Sequence, residues 1–434
     1  MKLEKCNSVN GTVVAVDSKS DAHRALICSA LCNGQTKIKV KALNYDIIAT
    51  ATCLSSLGAN VTREGDTYSV SGRAEGGGNL FCAESGSTAR FLLPVAGALG
   101  GVTTFLGKGK LPQRPMLPLT EEMRKAGCTV SADFLPLTVS GRLKGGKYTL
   151  SGSVSSQFIS GLLMALPLTN EPSEILLTSP LQSELYADMT VKTLKNFGVK
   201  WQKLSSEESG GFYGGYRLDG ITDYSNFCTA VCAKATYDTY KSPEFYAVEG
   251  DWSGAAFFAV AAALAGKVEL LGLDTKSLQP DKAIIDITEQ VGASVTKNGD
   301  KITVEKRKIN PFSLDVSQFP DLFPVLSVLA CGAEGESLLF GAGRLRIKES
   351  DRIETTASMI RALGGKVEVG EDYLKIFGSG RLSGGKFDGA GDHRIVMSGA
   401  IASLISDGNV EIIGHTAVNK SYPEFFEVFE KIRG

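Results

Sequence analysis

Between Arg344 and Arg352 the chain reads RLRIKESDR and places Arg344, Arg346, Lys348, Glu349, Asp351 and Arg352 within nine residues. Closely spaced cations of this kind suit an anionic ligand, and a carboxylate among them can carry a proton. The plain alternative is a solvated, capped helix start. Similar groups recur elsewhere in the chain. Lys19, Ser20 and Arg24 open an apolar run, with Arg24 aimed into an apolar face where an Arg calls for an anion partner. Glu84-Ser85-Gly86-Ser87-Thr88 reads either as helix caps or as a backbone that a ligand can approach closely at the glycine. Ser155-Ser156-Gln157 is equally two-sided, and Asp321, after Pro320, is an N-cap or a functional carboxylate. His393-Arg394 heads another apolar run, Arg114-Pro115 is a rigid basic loop, and Lys420 stands shortly before the last helix. GKGK at Gly107–Lys110 lacks the spacing of a P-loop.

Two recurring elements must position these groups. The first is an amphipathic helix that stops at a glycine and leads into a polar hairpin, at Gly58, Gly127, Gly198, Gly292 and Gly364. The chain ends on Gly434, and these glycines lie roughly 70 residues apart except for a longer interval between Gly198 and Gly292. The second is an almost wholly apolar helix with a hydroxyl or a charge at its head, found in KSDAHRALICSAL, GSTARFLLPVAGAL, SSQFISGLLMALPL, DWSGAAFFAVAAAL, PDLFPVLSVLACGA and DHRIVMSGAIASLI. A helix that is apolar all round is buried. Each unit therefore reads strand, buried helix, strand, surface helix, hairpin. Three units precede the long interval and three follow it, an α/β (α+β) chain of two three-unit domains. The expected boundaries are 15–246 for the first domain, and 1–14 with 247–434 for the second. The sixth unit lacks a hairpin, which the spare strands of the first sixteen residues, including VNGTVVAV, are expected to supply. Helix N-termini carry unpaired N–H groups and partial positive charge. If the units pack in parallel, the six heads converge on one end of each domain and flank a cleft for small, multiply anionic ligands.

Composition narrows the function classes. A net charge of −1 across 434 residues, with no basic run interleaved with aromatics, gives no nucleic-acid signature. The nine cysteines are scattered, and the C-x-x-x-C pairs Cys28/Cys32 and Cys228/Cys232 fit neither a zinc knuckle nor a redox motif. With only three histidines as well, a reduced, cytoplasmic protein without metal or cofactor is expected. No apolar run approaches the roughly 20 residues of a membrane span, and the N-terminus does not read as a signal peptide.

Taken in order, SKSDAHR, ESGSTARF, QRPM, SSQFISGLLMALPL, VEGDWSGAAFF, PDLFP, LRIKESDR, DHR and NKSYPEFF resemble the EPSP synthase (3-phosphoshikimate 1-carboxyvinyltransferase) family over Ser18 to Phe426. The resemblance implies an inside-out α/β barrel fold, two domains of three βαβαββ units that close on their substrates. It also implies transfer of the enolpyruvyl group of phosphoenolpyruvate to the 5-hydroxyl of shikimate 3-phosphate. By motif match, Lys19, Ser20, Arg24, Ser155, Ser156, Gln157, Ser183, Asp321 and Lys348 would hold shikimate 3-phosphate, with Tyr186 over its ring. Lys19, Gly86, Arg114, Arg352, Arg394 and Lys420 would hold phosphoenolpyruvate. Asp321 and Glu349 would carry protons, with Lys19 as a further acid. A monomer acting on two small molecules, without nucleic acid or membrane, is the corresponding expectation.

The chemistry asks for such a set. The methylene carbon of phosphoenolpyruvate must gain a proton, the hydroxyl must lose one, and a methyl proton must leave as phosphate departs. Cations depress a carboxylate's pKa while desolvation raises it, and the sequence leaves that balance open. There are departures from the family pattern: Asp17 replaces a common Gly, Gln279-Pro280-Asp281 replaces Gln-Gly-Asp, and Glu84 and Arg344 are not carried over as ligands. The sister UDP-N-acetylglucosamine enolpyruvyl transferases carry a cysteine before the Arg-Pro motif, and Gly107–Gln113 has none. RNA 3′-phosphate cyclases share the repeat but need a catalytic His for which no match is seen. A non-catalytic anion-binding protein of the same fold would keep the arginines without needing both Asp321 and Glu349.

Overall fold

The computed structural model describes residues 1–41, 43–218 and 239–434. The Cys228/Cys232 pair therefore lies outside the described residues. The described chain forms two compact lobes. One comprises Ser20–Lys41 and Tyr45–Val248, and the other Met1–Lys19 and Glu249–Gly434 with Leu43 and Asn44. We call them the N-terminal and C-terminal lobes; each has its own apolar core.

The repeat is visible in the sheets. In each full repeat two parallel strands flank a buried helix, and an antiparallel hairpin extends the second strand. In the second repeat Gly78–Phe81 and Thr103–Leu106 are parallel, and Leu137–Gly141 and Cys128–Val130 complete the sheet. Among the described residues five sheets have four strands in this order, and the sixth has three. The glycines that end the surface helices all adopt positive φ: 100° at Gly58, 98° at Gly127, 83° at Gly198, 120° at Gly292 and 86° at Gly364. An L side chain is disfavoured there, which is why the helices stop at glycine.

The N-terminal strands do not pair as the sequence suggests. Only Lys2–Leu3 joins the sixth sheet, antiparallel to Val410–Ile413. Val9–Val14, the VNGTVV segment, instead runs parallel to Gly266–Leu271 as the first strand of the fourth repeat. That repeat begins directly with the helix Trp252–Ala265 and has no parallel partner of its own. In the N-terminal lobe Phe245–Ala247 plays the equivalent part beside Thr36–Lys39.

The six helices are buried as their all-round apolar composition requires. Thirteen of the fourteen residues of Trp252–Ala265 are inaccessible. Each buried Phe, such as Phe257 and Phe258, contributes about 1.5–3 kcal/mol relative to exposure. No described helix is long and apolar enough to cross a membrane.

Candidate active site

In the N-terminal lobe the heads of the three buried helices meet. Ser155 caps the helix Ser156–Ala165 by accepting from the Gln157 amide at 3.3 Å. The Gln157 side chain donates to Ser87 Oγ at 2.9 Å and accepts from Arg90 Nη1 at 2.8 Å, which ties the third helix to the second. Ser156 is buried beside it. Ser85 caps the helix Gly86–Leu99, so the capping reading of that motif is correct. Gly86 is also closely approached, by a side chain of the same lobe. A Cβ at Gly86 would sit 2.7 Å from Arg114 Nη1, so the guanidinium lies directly over this glycine.

Arg24 is buried, and its hydrogen bonds within the chain go to neutral oxygens. Nε donates to Thr190 Oγ1 at 2.8 Å, Nη1 to the Ser20 carbonyl at 2.6 Å, and Nη2 to the Tyr186 carbonyl at 2.8 Å and Ser160 Oγ at 3.3 Å. Its charge also lies 5.0 Å from the centre of the Phe91 ring. Burial pulls the guanidinium down to about 10, with Asp21 opposing. Dipoles and a ring face thus help to host this buried charge. Ser183, buried, stands at φ 54° just ahead of the helix Glu184–Asn196. A β-carbon residue held left-handed is strained, a mark of sites where geometry matters. Tyr186 follows one turn on, half-buried.

The C-terminal lobe holds the charged cluster. Asp351 caps the helix Arg352–Ala362 and pairs with Arg346 at 2.7 Å, so part of the RLRIKESDR motif is the helix start that the plain reading foresees. The remainder turns inward. Arg352, 1% exposed, donates through Nη1 to Asp321 at 2.7 Å, through Nη2 to Glu349 at 2.9 Å and through Nε to Asp392 at 2.8 Å. Arg394 reaches Asp321 Oδ2 at 3.0 Å and the Asp321 carbonyl at 3.2 Å. Lys420 donates to the Gly391 carbonyl at 2.8 Å, beside the head of the helix His393–Ala402. The charge of Lys19 is felt at His393 and at Asp251. Heads from three helices and the Arg352 motif thus surround one spot in this lobe.

The electrostatic balance left open by the sequence is settled at Asp321. Burial works to raise its pKa, but Arg394, Lys348 and Arg352 together outweigh burial and hold it well below the usual carboxylate range. Burial pulls Lys348 down to about 8 against the pull of Asp321. It likewise drives His393 to about 3, so this imidazole is neutral at physiological pH.

An anion binding to Arg352 must compete with Asp321 and Glu349, because its hydrogen bonds already go to carboxylates. Sequence reasoning passed over Asp392, Arg90, Asp251 and Asp281. Asp392 was visible only as a cap ahead of His393, and it is that too, accepting from the Arg394 amide at 3.0 Å. Among the described residues no group of three or more His, Cys, Asp or Glu is placed to hold a metal ion.

The family model described as EPSP synthase (3-phosphoshikimate 1-carboxyvinyltransferase) matches residues 3–238 and 235–429. A 3-phosphoshikimate 1-carboxyvinyltransferase of Methanocorpusculum labreanum is 36% identical, covering 100% of this chain and 98% of the relative. One of Clostridium kluyveri is 38% identical, covering 98% and 96%. Among solved structures, EPSP synthase from Acinetobacter baumannii superposes with a TM-score of 0.78 at 24% identity, over 100% of this chain and 98% of that one. The enolpyruvyl transferase NikO from Streptomyces tendae superposes at 0.73 with 15% identity, over 99% and 96%; these two likenesses speak for the fold. With a family model spanning nearly its whole length and full-length relatives above 30% identity, the chain belongs to the EPSP synthase family of enolpyruvyl transferases.

Proposed function

We propose that the residues gathered in the two lobes divide the work of this family's reaction between them. The chain is a transferase of the shikimate pathway that moves the enolpyruvyl group of phosphoenolpyruvate to the 5-hydroxyl of shikimate 3-phosphate, releasing phosphate. Ser20, Arg24, Ser155, Ser156, Gln157, Ser183 and Lys348 hold shikimate 3-phosphate, and Tyr186 covers its ring. Lys19, Gly86, Arg114, Arg352, Arg394 and Lys420 hold phosphoenolpyruvate.

In the addition step, Glu349 protonates the methylene carbon of phosphoenolpyruvate, with Lys19 as a further acid. The 5-oxygen forms its bond to the adjacent carbon and gives its proton to Asp321. In the elimination step the new methyl group returns a proton to Glu349, the carbon–oxygen bond to phosphate breaks, and the enol ether is left. The phosphoenolpyruvate anion takes hydrogen bonds of Arg352 and Arg394 that Asp321 otherwise receives. As those cations are neutralised, Asp321 gains basicity at the moment it is needed. This reading also takes the chain to work as a monomer in the cytoplasm on two small anions.

The observation that carries the reading is the meeting of Asp321 and Glu349 on one buried Arg352. A passive anion binder needs the arginine but not both carboxylates. The test is phosphate release on mixing the protein with shikimate 3-phosphate and phosphoenolpyruvate. Release that requires both substrates is expected. Release from phosphoenolpyruvate with UDP-N-acetylglucosamine instead, or no release at all, would overturn the reading.

A further inference from the structure

The Gln279-Pro280-Asp281 turn, where the chain departs from Gln-Gly-Asp, lies behind Arg394 and has no part in the account above. Gln279 fastens this turn to the head of the helix Trp252–Ala265. Its Oε1 accepts from the Trp252 amide at 3.0 Å, and its Nε2 donates to the Gly250 carbonyl at 2.7 Å and to Glu249 at 3.0 Å. Asp281 is fully buried and accepts the Ser253 hydroxyl on Oδ2. Arg394 Nη1 lies 3.9 Å from that same oxygen. Asp281 Oδ1 is buried and has no hydrogen-bond partner among the described residues. A loop that needed only an acceptor for Ser253 would be served by an uncharged side chain, without the cost of burying a carboxylate that is partly unpaired. What a carboxylate adds at this place is a charge against Arg394.

We propose that Asp281, tethered by Ser253, is a positioning residue that gives Arg394 a second carboxylate anchor besides Asp321, so that the guanidinium keeps its place when an anionic substrate draws it away from Asp321. The inference rests on the reading that Arg394 binds phosphoenolpyruvate. Without a second anchor, an Arg released from Asp321 has many rotamers to lose again on binding. Burial outweighs the pull of Arg394 and leaves the carboxyl at about 7, so its charge depends on the partner it holds.

The test is Asp281→Asn, which keeps size and the acceptor for Ser253 while removing the charge. In steady-state phosphate release with the full chain, KM for phosphoenolpyruvate should rise about tenfold, while kcat and KM for shikimate 3-phosphate stay within about twofold. A general packing defect would instead lower the melting temperature and disturb both substrates. A double-mutant cycle decides whether the effect passes through Arg394. In the Arg394→Ala background, Asp281→Asn should change KM no further. An unchanged KM in the single variant, or the same rise in both backgrounds, overturns the proposal. Should Asp281→Asn not fold, Ser253→Ala frees the carboxylate from its tether and reads the same cycle, with a KM rise of about threefold expected only when Arg394 is present. Failure of the underlying reading looks different, because Arg394→Ala alone would then leave KM for phosphoenolpyruvate unchanged.

Discussion

Asp321 and Arg352, at the heads of the buried and the surface helix of the fifth repeat, are joined by a 2.7 Å hydrogen bond. The same guanidinium reaches Glu349 and the fully buried Asp392, so one side chain organises three carboxylates. A cation that touches both proposed proton carriers fixes their separation and their charge together.

Removing that cation should therefore unsettle the fold as well as the chemistry. Arg352→Ala leaves Asp392 charged and without its ion partner at zero exposure, a defect worth about 3–5 kcal/mol. Urea unfolding should show the loss in the transition that reports on the C-terminal lobe. A loss below about 1 kcal/mol would mean that Asp392 finds another partner or takes up a proton.

Gly86→Ala puts a methyl group 2.7 Å from Arg114 Nη1. The guanidinium is the flexible member of the pair and must move, whereas the helix can stay. KM for phosphoenolpyruvate should rise about tenfold or more with little change in melting temperature, since a charge-assisted bond is worth about 1.5–3 kcal/mol. An unchanged KM would separate Arg114 from that substrate.

The Lys348 ammonium, pulled down to about 8, supplies a pH dependence. Below that pH the group is charged and can hold a phosphate; above it the charge is lost. The kcat/KM for shikimate 3-phosphate should be level below pH 8 and fall about tenfold per pH unit above it, because this ratio reports the free enzyme. Lys348→Arg keeps the charge and should remove that inflection. Persistence of the inflection in the Arg variant would assign it to another group.

Val9–Val14 lies against Gly266–Leu271 along its whole length, and Gly11 approaches Ile432 of the final helix. Deleting Met1–Val14 should expose the amides of Gly266–Leu271 and loosen Phe425–Ile432. Hydrogen exchange should show the increase there and at Val410–Ile413, which loses Lys2–Leu3. Faster exchange confined to the N-terminal lobe would contradict the observed pairing.

Much of this organisation was legible in the residues. Glycines at the helix ends and helices without a polar face are local signals, and both survive folding unchanged from Gly58 to Gly364. The RLRIKESDR motif exposed Glu349 and Arg352 because its members are neighbours in the chain. Asp392, Asp281 and Arg90 were hidden for the opposite reason. Each matters through a partner some 40 to 110 residues away, and each by itself reads as a cap, a turn or an ordinary helix residue. The destination of VNGTVV was hidden because two sheets needed a strand, and the alternation of Val9 and Val13 fits either. The hydroxyls and carbonyls that surround Arg24 come from distant helices and could not be read beside it in the chain.

The central claim is that Asp321, kept ionised by Arg352 and Arg394, is the base for the shikimate hydroxyl. Asp321→Asn tests it most directly, since the amide keeps the size and an acceptor while losing the proton-accepting charge. Steady-state phosphate release should show kcat lower by about 10²–10⁴-fold, with both KM values near wild type. A variant that turns over at close to the normal rate, or one that loses only affinity, would contradict the account.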